Sequence, residues 1–346
     1  MINNILSYFS HDIGIDLGTA NTLVYVRGKG ILIREPSVVT IHKKTKQVLA
    51  VGSEAKRMLG KTPGTIEAIR PLRDGVISDF YVAEKMIEYF IKRVHELPSK
   101  FPKIPKPRVV IGVPSGITSV EKKAVVDATR NAGARATYLI EEPMAAAIGA
   151  RLPISEPRGT MVADMGGGTS EIAVISLGGI VINKSLRVAG DEMDMDIVNY
   201  AKNKYNLLLG DRSAEEIKFY AGSAAPFERE SEVSAVLRGR DLKTGLPRSI
   251  PVSAAEIREA ISPSIYTIIN TIKDAIEETP PELVPDILRD GLTIAGGTSL
   301  IKNLDVLMSK ELNIPVHIAK DPLTCVVRGC GLVLDDLDLL EKVKIK

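Results

Sequence analysis

The chain has 346 residues, 45% of them hydrophobic and 25% charged. That is enough for roughly two domains of ordinary size with a sizeable core, and it argues against a disordered chain. A net charge of +2, the absence of Trp and only 4% aromatic residues leave no basic stripe interleaved with rings, so nucleic acid is not an expected partner. No apolar run approaches the ~20 residues of a spanning helix and no cleavable signal peptide is evident, so the expected location is the cytoplasm.

Met1–Ser10 places Ile2, Ile5, Leu6 and Phe9 at i, i+3, i+4 and i+7, one face of a helix. Helices below ~12–15 residues are marginal alone in water. The segment therefore either docks on the core or folds on a membrane surface, although it lacks the Lys and Arg usual on the polar face. Ile13–Ile31, IGIDLGTANTLVYVRGKGI, reads as a strand reaching Asp16, a turn at Gly18, a second strand, then Gly28 and Gly30. Glu35-Pro36 leads into a short strand pair, Val38–Ile41 and Val48–Val51, and a helical turn at Ala55–Leu59. Asp79–Val94 is an amphipathic helix with Ala83, Met86, Ile87, Phe90, Ile91 and Val94 on one stripe. Leu97–Pro107 contains four prolines and reads as a loop.

Val109–Val113 is a continuous apolar run, the pattern of a buried central strand. Thr118-Ser119-Val120-Glu121 is a capping box opening a helix to about Asn131. After a short strand, Glu141-Glu142-Pro143 opens the helix Met144–Ala150. Pro143 suits the first helical position, which places Glu142 at the N-cap, where the helix dipole favours its ionised form. It either caps and does nothing more, or serves as a carboxylate at a strand's carboxyl end, where open α/β sheets place ligands.

Met161–Ile182, MVADMGGGTSEIAVISLGGIVI, repeats the first hairpin. Aligning Asp16 with Asp164 puts Gly18 on Gly166, and the copies differ by one residue before the second strand. Consecutive glycines let backbone N–H groups turn inward into a nest for an anion such as phosphate. A carboxylate beside it suits Mg²⁺ held partly through water. One such turn is equally a plain hairpin; two copies imply similar halves whose turns surround a polyphosphate, and hence nucleotide binding.

Further on, a helix covers Met193–Tyr205, and Ala214–Ala224 reads as helical, with Glu215 and Lys218 spaced for a surface ion pair. Glu228–Pro251 is strand-and-turn material. A second capping box, Ser253 to Glu256, opens a long isoleucine-striped helix interrupted near Pro263. The strand Leu292–Ala295 runs into Gly296-Gly297-Thr298 and a helix Ser299–Leu312. That glycine pair either lets a flat ligand lie against backbone or serves only helix–strand packing. Val326–Lys346 finishes as a helix, and Cys325 and Cys330 read as small buried residues in a reducing compartment.

Together, DIGIDLGTANTLVYVRGKGI, EPSVV, AIRPLRDGVISDF, LIEEPMAAAIGA, DMGGGTSEIAVISLGGIV, AGDEMD and TPPELVPDI resemble the actin–Hsp70–sugar kinase ATPase superfamily and, within it, the MreB family of bacterial actin homologues. The resemblance implies an α/β, actin-like ATPase fold. Two duplicated RNase H-like domains, each with a small inserted subdomain, would hold ATP or ADP and Mg²⁺ in a cleft. Its subdomains would be 1–34, 72–156 and 324–346 (IA), 35–71 (IB), 157–192 and 256–323 (IIA), and 193–255 (IIB).

Carried over residue by residue, Gly18, Thr19, Ala20 and Asn21 would form one phosphate loop, and Gly166, Gly167, Gly168 and Thr169 the other. Asp16 and Asp164 would hold the hydrated Mg²⁺, and Glu142 would position the attacking water. Glu215 and Lys218 would contact ribose and adenine, with Gly296, Gly297, Thr298 and Leu300 lining the base pocket. Thr298 stands where the family usually has a third glycine, so binding with slightly altered nucleotide contacts is expected. The resemblance further implies head-to-tail filaments paired antiparallel near Val120. It implies attachment to the inner membrane surface through Ile2, Ile5, Leu6 and Phe9 and through Leu97 and Phe101. The cell-wall elongation machinery of rod-shaped bacteria would be the partner. A plasmid-segregating actin or a small-molecule kinase is the other reading, and Glu35–Arg70 and Met193–Pro251 are small for a kinase substrate pocket.

Overall fold

The computed structural model describes residues 10–96 and 105–345, so Ile2, Ile5, Leu6, Phe9, Leu97 and Phe101 lie outside the described residues. The chain divides into two compact units, each with its own apolar core. The first unit comprises the chain up to Pro157, Ile175–Ile180 and the chain from Leu323 onward; the second comprises Arg158–Val174 and Val181–Pro322.

In the first unit, β1 (Ile13–Leu17), β2 (Asn21–Val26) and β3 (Gly30–Pro36) form an antiparallel meander. Two further strands, β4 (Arg108–Val113) and β5 (Ala136–Glu141), lie parallel to β1, giving the order β3-β2-β1-β4-β5. β1 and β4 are buried along nearly their whole length, which is why they read as apolar runs and not as alternating strands. The helix Phe80–His95 lays the predicted stripe on this sheet, and Asp79 caps it by accepting from the Val82 N–H at 3.0 Å. A separate three-stranded sheet, Val48–Val51, Val39–His42 and Ile66–Ile69, is inserted after β3; its third strand was not legible in the sequence.

The second unit repeats the scheme with β6 (Thr160–Met165), β7 (Ser170–Ser176), β8 (Gly179–Leu186), β9 (Leu292–Ala295) and β10 (Val316–Ile318) in the order β8-β7-β6-β9-β10. The duplication expected from the two hairpins is therefore a duplication of whole sheets. A second small sheet, Leu207–Leu208, Ser234–Asp241 and Pro247–Ser253, is inserted here. The tip of the β7–β8 hairpin groups with the first unit, whereas the expected division placed all of it in the second half. The cause is local: the amides of Leu177 and Gly178 donate to the carbonyls of Glu156 (3.1 Å) and Ile154 (2.7 Å).

Three helix expectations are corrected. Ala254–Glu277 runs without interruption through Pro263. Pro263 and Glu259 both face solvent, so the carbonyl deprived of its N–H partner is hydrated at little cost. The expected helix Ser299–Leu312 is a 3₁₀ turn, Gly297–Leu300, followed by Leu304–Leu312, with Asn303 in the left-handed region (φ 59°) at the break. The C-terminal stretch is two helices, Cys325–Asp335 and Leu337–Val343. Asp336 leaves helical geometry and caps the second by accepting from the Asp338 and Leu339 amides.

Candidate functional site

The first acidic hairpin carries Asp16 next to the end of β1, before Leu17, and turns through Gly18–Asn21. This loop is held from behind by Ser37, whose hydroxyl donates to the Gly18 carbonyl at 2.6 Å and whose N–H donates to the Ala20 carbonyl at 3.0 Å. In a trans peptide the C=O and N–H point to opposite sides, so anchoring the Gly18 carbonyl turns the Thr19 N–H away from Ser37. The buried Thr19 hydroxyl accepts from the Gly75 N–H at 2.9 Å. Gly75 sits with Asp74 in a two-residue turn whose φ values, +75° and +50°, suit the tight connection of two short strands.

Asp16 is partly buried, and loss of water around its carboxyl group pushes it up to about 7. In the parallel part of the sheet, Gly112 of β4 faces both Asp16 and Ile140, so β1 and β5 end on the same edge. Glu142 follows there. The structure corrects its position: Glu141, the last residue of β5, is the N-cap, and Glu142 and Pro143 are the first two helical residues. The strand ends one residue before the helix begins, which leaves Glu142 in the first turn, still at the positive end of the dipole. It is 7% exposed. A Cβ at Gly112 would fall 2.7 Å from Val326 Cγ1, too close to tolerate, and 3.5 Å from Glu142 Cγ, an ordinary contact, so the bare glycine makes room for Val326 while the glutamate stem passes beside it. Cys330 lies in the same neighbourhood: burial first, then the charges of Asp16 and Glu142, push its thiol well above its ordinary range. Neither cysteine is in a disulfide and both are buried, as expected.

The helix carrying Glu142, Glu142–Gly149, packs backbone to backbone against Cys325–Asp335. A Cβ at Gly149 would fall 1.8 Å from the Cys325 carbonyl oxygen, and one at Gly329 would fall 1.9 Å from that of Ala145.

In the second unit β6 ends with the buried Asp164 and Met165. The Gly166 N–H donates to the Thr169 carbonyl at 2.9 Å and closes the turn. The Gly166 carbonyl accepts from the Thr298 hydroxyl at 2.8 Å and the Gly190 N–H at 3.3 Å, and the Gly167 carbonyl accepts from the Asp191 N–H at 2.8 Å. By the same peptide geometry the Gly167 and Gly168 N–H groups face away from these anchors. Both loops are thus fixed by their carbonyls with N–H groups turned outward, the arrangement that receives phosphate oxygens.

Lys218 is buried and not on the surface: its ammonium pairs with Asp194 at 2.8 Å and donates to the Gly190 carbonyl. The helix bearing it runs Asp211–Ala221 and turns Lys218 inward, while Glu215 beside it is half-buried. Burial outweighs the attraction of Lys218 and raises the Asp194 carboxyl to about 6. After β9, Gly296 adopts φ +80°, and a Cβ there would lie 2.2 Å from the Met165 carbonyl oxygen, so only glycine turns here. Gly297 and Thr298 begin the 3₁₀ turn; Thr298 is 4% exposed, whereas Leu300 is 54% exposed. Val120 stands at 77% exposure in the first turn of Ser119–Asn131.

Among the described residues, no group of three or more His, Cys, Asp or Glu is placed to hold a metal ion. One or two carboxylates with water suit Mg²⁺, which dehydrates reluctantly, and a partly buried Asp16 with a raised carboxyl gains from a nearby cation. The residues present therefore fit the ion. Among the described residues, no helix is long and apolar enough to cross a membrane. Ser37, Gly190 and Asp194, although inside EPSVV and AGDEMD, were given no role from sequence: the bonds they make reach 15 to 28 residues along the chain, and no local spacing announces them.

The family model described as MreB/Mbl protein matches residues 10–342. The cell shape-determining protein Mbl of Bacillus subtilis (strain 168) is 50% identical over 337 residues, 97% of this chain and 99% of that one. The cell shape-determining protein MreB of Escherichia coli (strain K12) is 49% identical over 343 residues, 98% of this chain and 97% of that one. Among solved structures, MreB5 of Spiroplasma citri bound to ADP superposes with a TM-score of 0.89 at 35% identity, covering 96% of this chain and 98% of that one. The AMPPNP-bound form gives 0.88 at 37%, covering 95% and 97%. The MamK double helical filament, at 22% identity and a TM-score of 0.76 over 94% and 99%, shares the fold.

Proposed function

Because the chain belongs to the MreB/Mbl family, we propose that it is an actin-like cytoskeletal protein that determines cell shape, binding ATP or ADP with Mg²⁺ and hydrolysing ATP. One observation carries the nucleotide assignment. Two separate loops, Gly18–Asn21 and Gly166–Thr169, each follow an acidic strand and are each fixed by their carbonyls so that N–H groups face outward. Each contributes one phosphate loop. The ADP- and AMPPNP-bound forms of MreB5, which share this fold, support the choice of ligand.

In this reading Asp16 and Asp164 hold the Mg²⁺, mainly through water. When bound, Mg²⁺ would supply charge neutralisation for the phosphate oxygens. Glu142 orients water for in-line attack and receives its proton. Glu215, Leu300 and the backbone of the Gly296–Thr298 turn bound the nucleoside side of the site, while Lys218 supports it through Asp194 and Gly190. Titration calorimetry of ATP with and without Mg²⁺ tests the assignment. Asp164→Ala is expected to abolish most of the Mg²⁺-dependent gain in affinity; an unchanged gain contradicts the role of Asp164.

Assembly is proposed as head-to-tail, the open-ended outcome of a heterologous contact without rotational closure. The exposed Val120 lies on the face where protofilaments pair. Membrane contact is assigned to Ile2, Ile5, Leu6, Phe9, Leu97 and Phe101, and a filament repeats such weak contacts along its length. Removing residues 1–10 is expected to lower co-sedimentation with anionic vesicles while polymer formation persists. Equal vesicle binding by the truncated chain contradicts that assignment.

A further inference from the structure

We propose that the hydroxyls of Thr298 and Ser37 are the positioning groups that hold the two phosphate loops with their N–H groups presented, so that each acts on phosphate recognition through a peptide it does not share. The proposal rests on the nucleotide reading above.

Thr298 comes from the turn expected to line a base pocket, yet its hydroxyl hydrogen is committed to the Gly166 carbonyl at 2.8 Å. With the Gly190 N–H it fills both lone pairs of that oxygen. Gly190 is in turn fixed by Lys218 on its own carbonyl, and Lys218 by Asp194. Thr298 is thus the side-chain end of a bonded chain inside the second unit. In the first unit the Ser37 hydroxyl donates to the Gly18 carbonyl at 2.6 Å and takes a hydrogen from the Thr22 hydroxyl at 2.8 Å. Both hydroxyl residues of that pair are fully buried.

Duplication of the hairpins does not account for the match. Ser37 follows β3, whereas Thr298 follows β9, the counterpart of β4. Two halves therefore reach one loop geometry with hydroxyls drawn from non-corresponding places. The shared consequence is that the Gly18–Thr19 and Gly166–Gly167 peptides are oriented before a ligand arrives. Preorganisation of this kind favours binding by reducing what must be ordered on association.

Removing a hydroxyl should then weaken recognition of phosphate and leave recognition of the nucleoside intact. Competition against a fluorescent ADP analogue, with ADP and with adenosine as competitors, reads both affinities in the full chain. Thr298→Val and Ser37→Ala are each expected to lower ADP affinity about tenfold, the scale of one lost hydrogen bond. Adenosine affinity should stay within twofold, Thr298→Ser should restore ADP binding, and unfolding curves without nucleotide should show all variants folded. Ser37→Ala removes a single oxygen, so it reports on the idea even where Thr298→Val disturbs its turn. Unchanged ADP affinity in both variants overturns the proposal, as does a parallel loss of ADP and adenosine, which would make Thr298 a direct nucleoside contact. Failure of the unaltered chain to bind ADP overturns the nucleotide reading itself and the clamps with it.

Discussion

Glu142→Ala is expected to lower phosphate release from ATP by about 10²–10⁴-fold, the range of a positioned acid–base group, while ATP binding and ATP-induced assembly persist. Glu142 stands at the carboxyl-terminal edge of its sheet, in the first turn of its helix, with its stem passing the bare Gly112. It belongs to neither phosphate loop, so its removal leaves the N–H groups of Thr19, Gly167 and Gly168 in place. Single-turnover phosphate release beside calorimetric ATP binding separates the two effects. Glu142→Gln keeps the packing and removes the base, so it should be as slow as Glu142→Ala. A variant that binds ATP and releases phosphate at the normal rate contradicts the assignment.

Gly329→Ala is expected to destabilise the first unit by about 3 kcal/mol, near the top of the range for overpacking. Its new methyl group would sit 1.9 Å from the Ala145 carbonyl oxygen and 2.6 Å from the carbonyl carbon. Both are backbone atoms, so no side-chain rotation relieves the clash and the two helices must separate. Gly149→Ala meets the Cys325 carbonyl oxygen at 1.8 Å from the other side of the same crossing and should behave alike. Because Glu142–Gly149 carries the glutamate, separation also moves Glu142, and hydrolysis should fall with stability. Gly64→Ala is the control: nothing lies within 4 Å of its Cβ position, and a surface change of this kind stays within about ±0.5 kcal/mol. Urea unfolding of the three variants and the unaltered chain measures the differences. A Gly329→Ala variant as stable as the unaltered chain contradicts the close crossing.

What was legible in the sequence was what local spacing encodes. Asp16 with Gly18 and Asp164 with Gly166 announced two related hairpins, and the sheets built on them share one strand order. The capping boxes at Thr118 and Ser253 marked true helix starts, because their partners lie three residues away. Spacing was misleading where burial or solvent decides. Pro263 does not stop its helix because it faces water, and Lys218 does not lie on the surface because Asp194 and Gly190 receive it inside. Helix breaks at Asn303 and Asp336 depended on single residues leaving helical geometry within runs otherwise suited to a helix. The anchors of the phosphate loops were out of reach altogether: Thr298 meets Gly166 across 132 residues, and nothing near either residue specifies the other.

On the proposed reading, phosphate recognition by the two acidic hairpins drives assembly. Ultracentrifugation of the purified full chain, with and without Mg²⁺ and ATP, tests it most directly. The protein is expected to move to the pellet when Mg²⁺-ATP is added and to stay in the supernatant without nucleotide. A chain that remains monomeric in the supernatant under every nucleotide condition would contradict it.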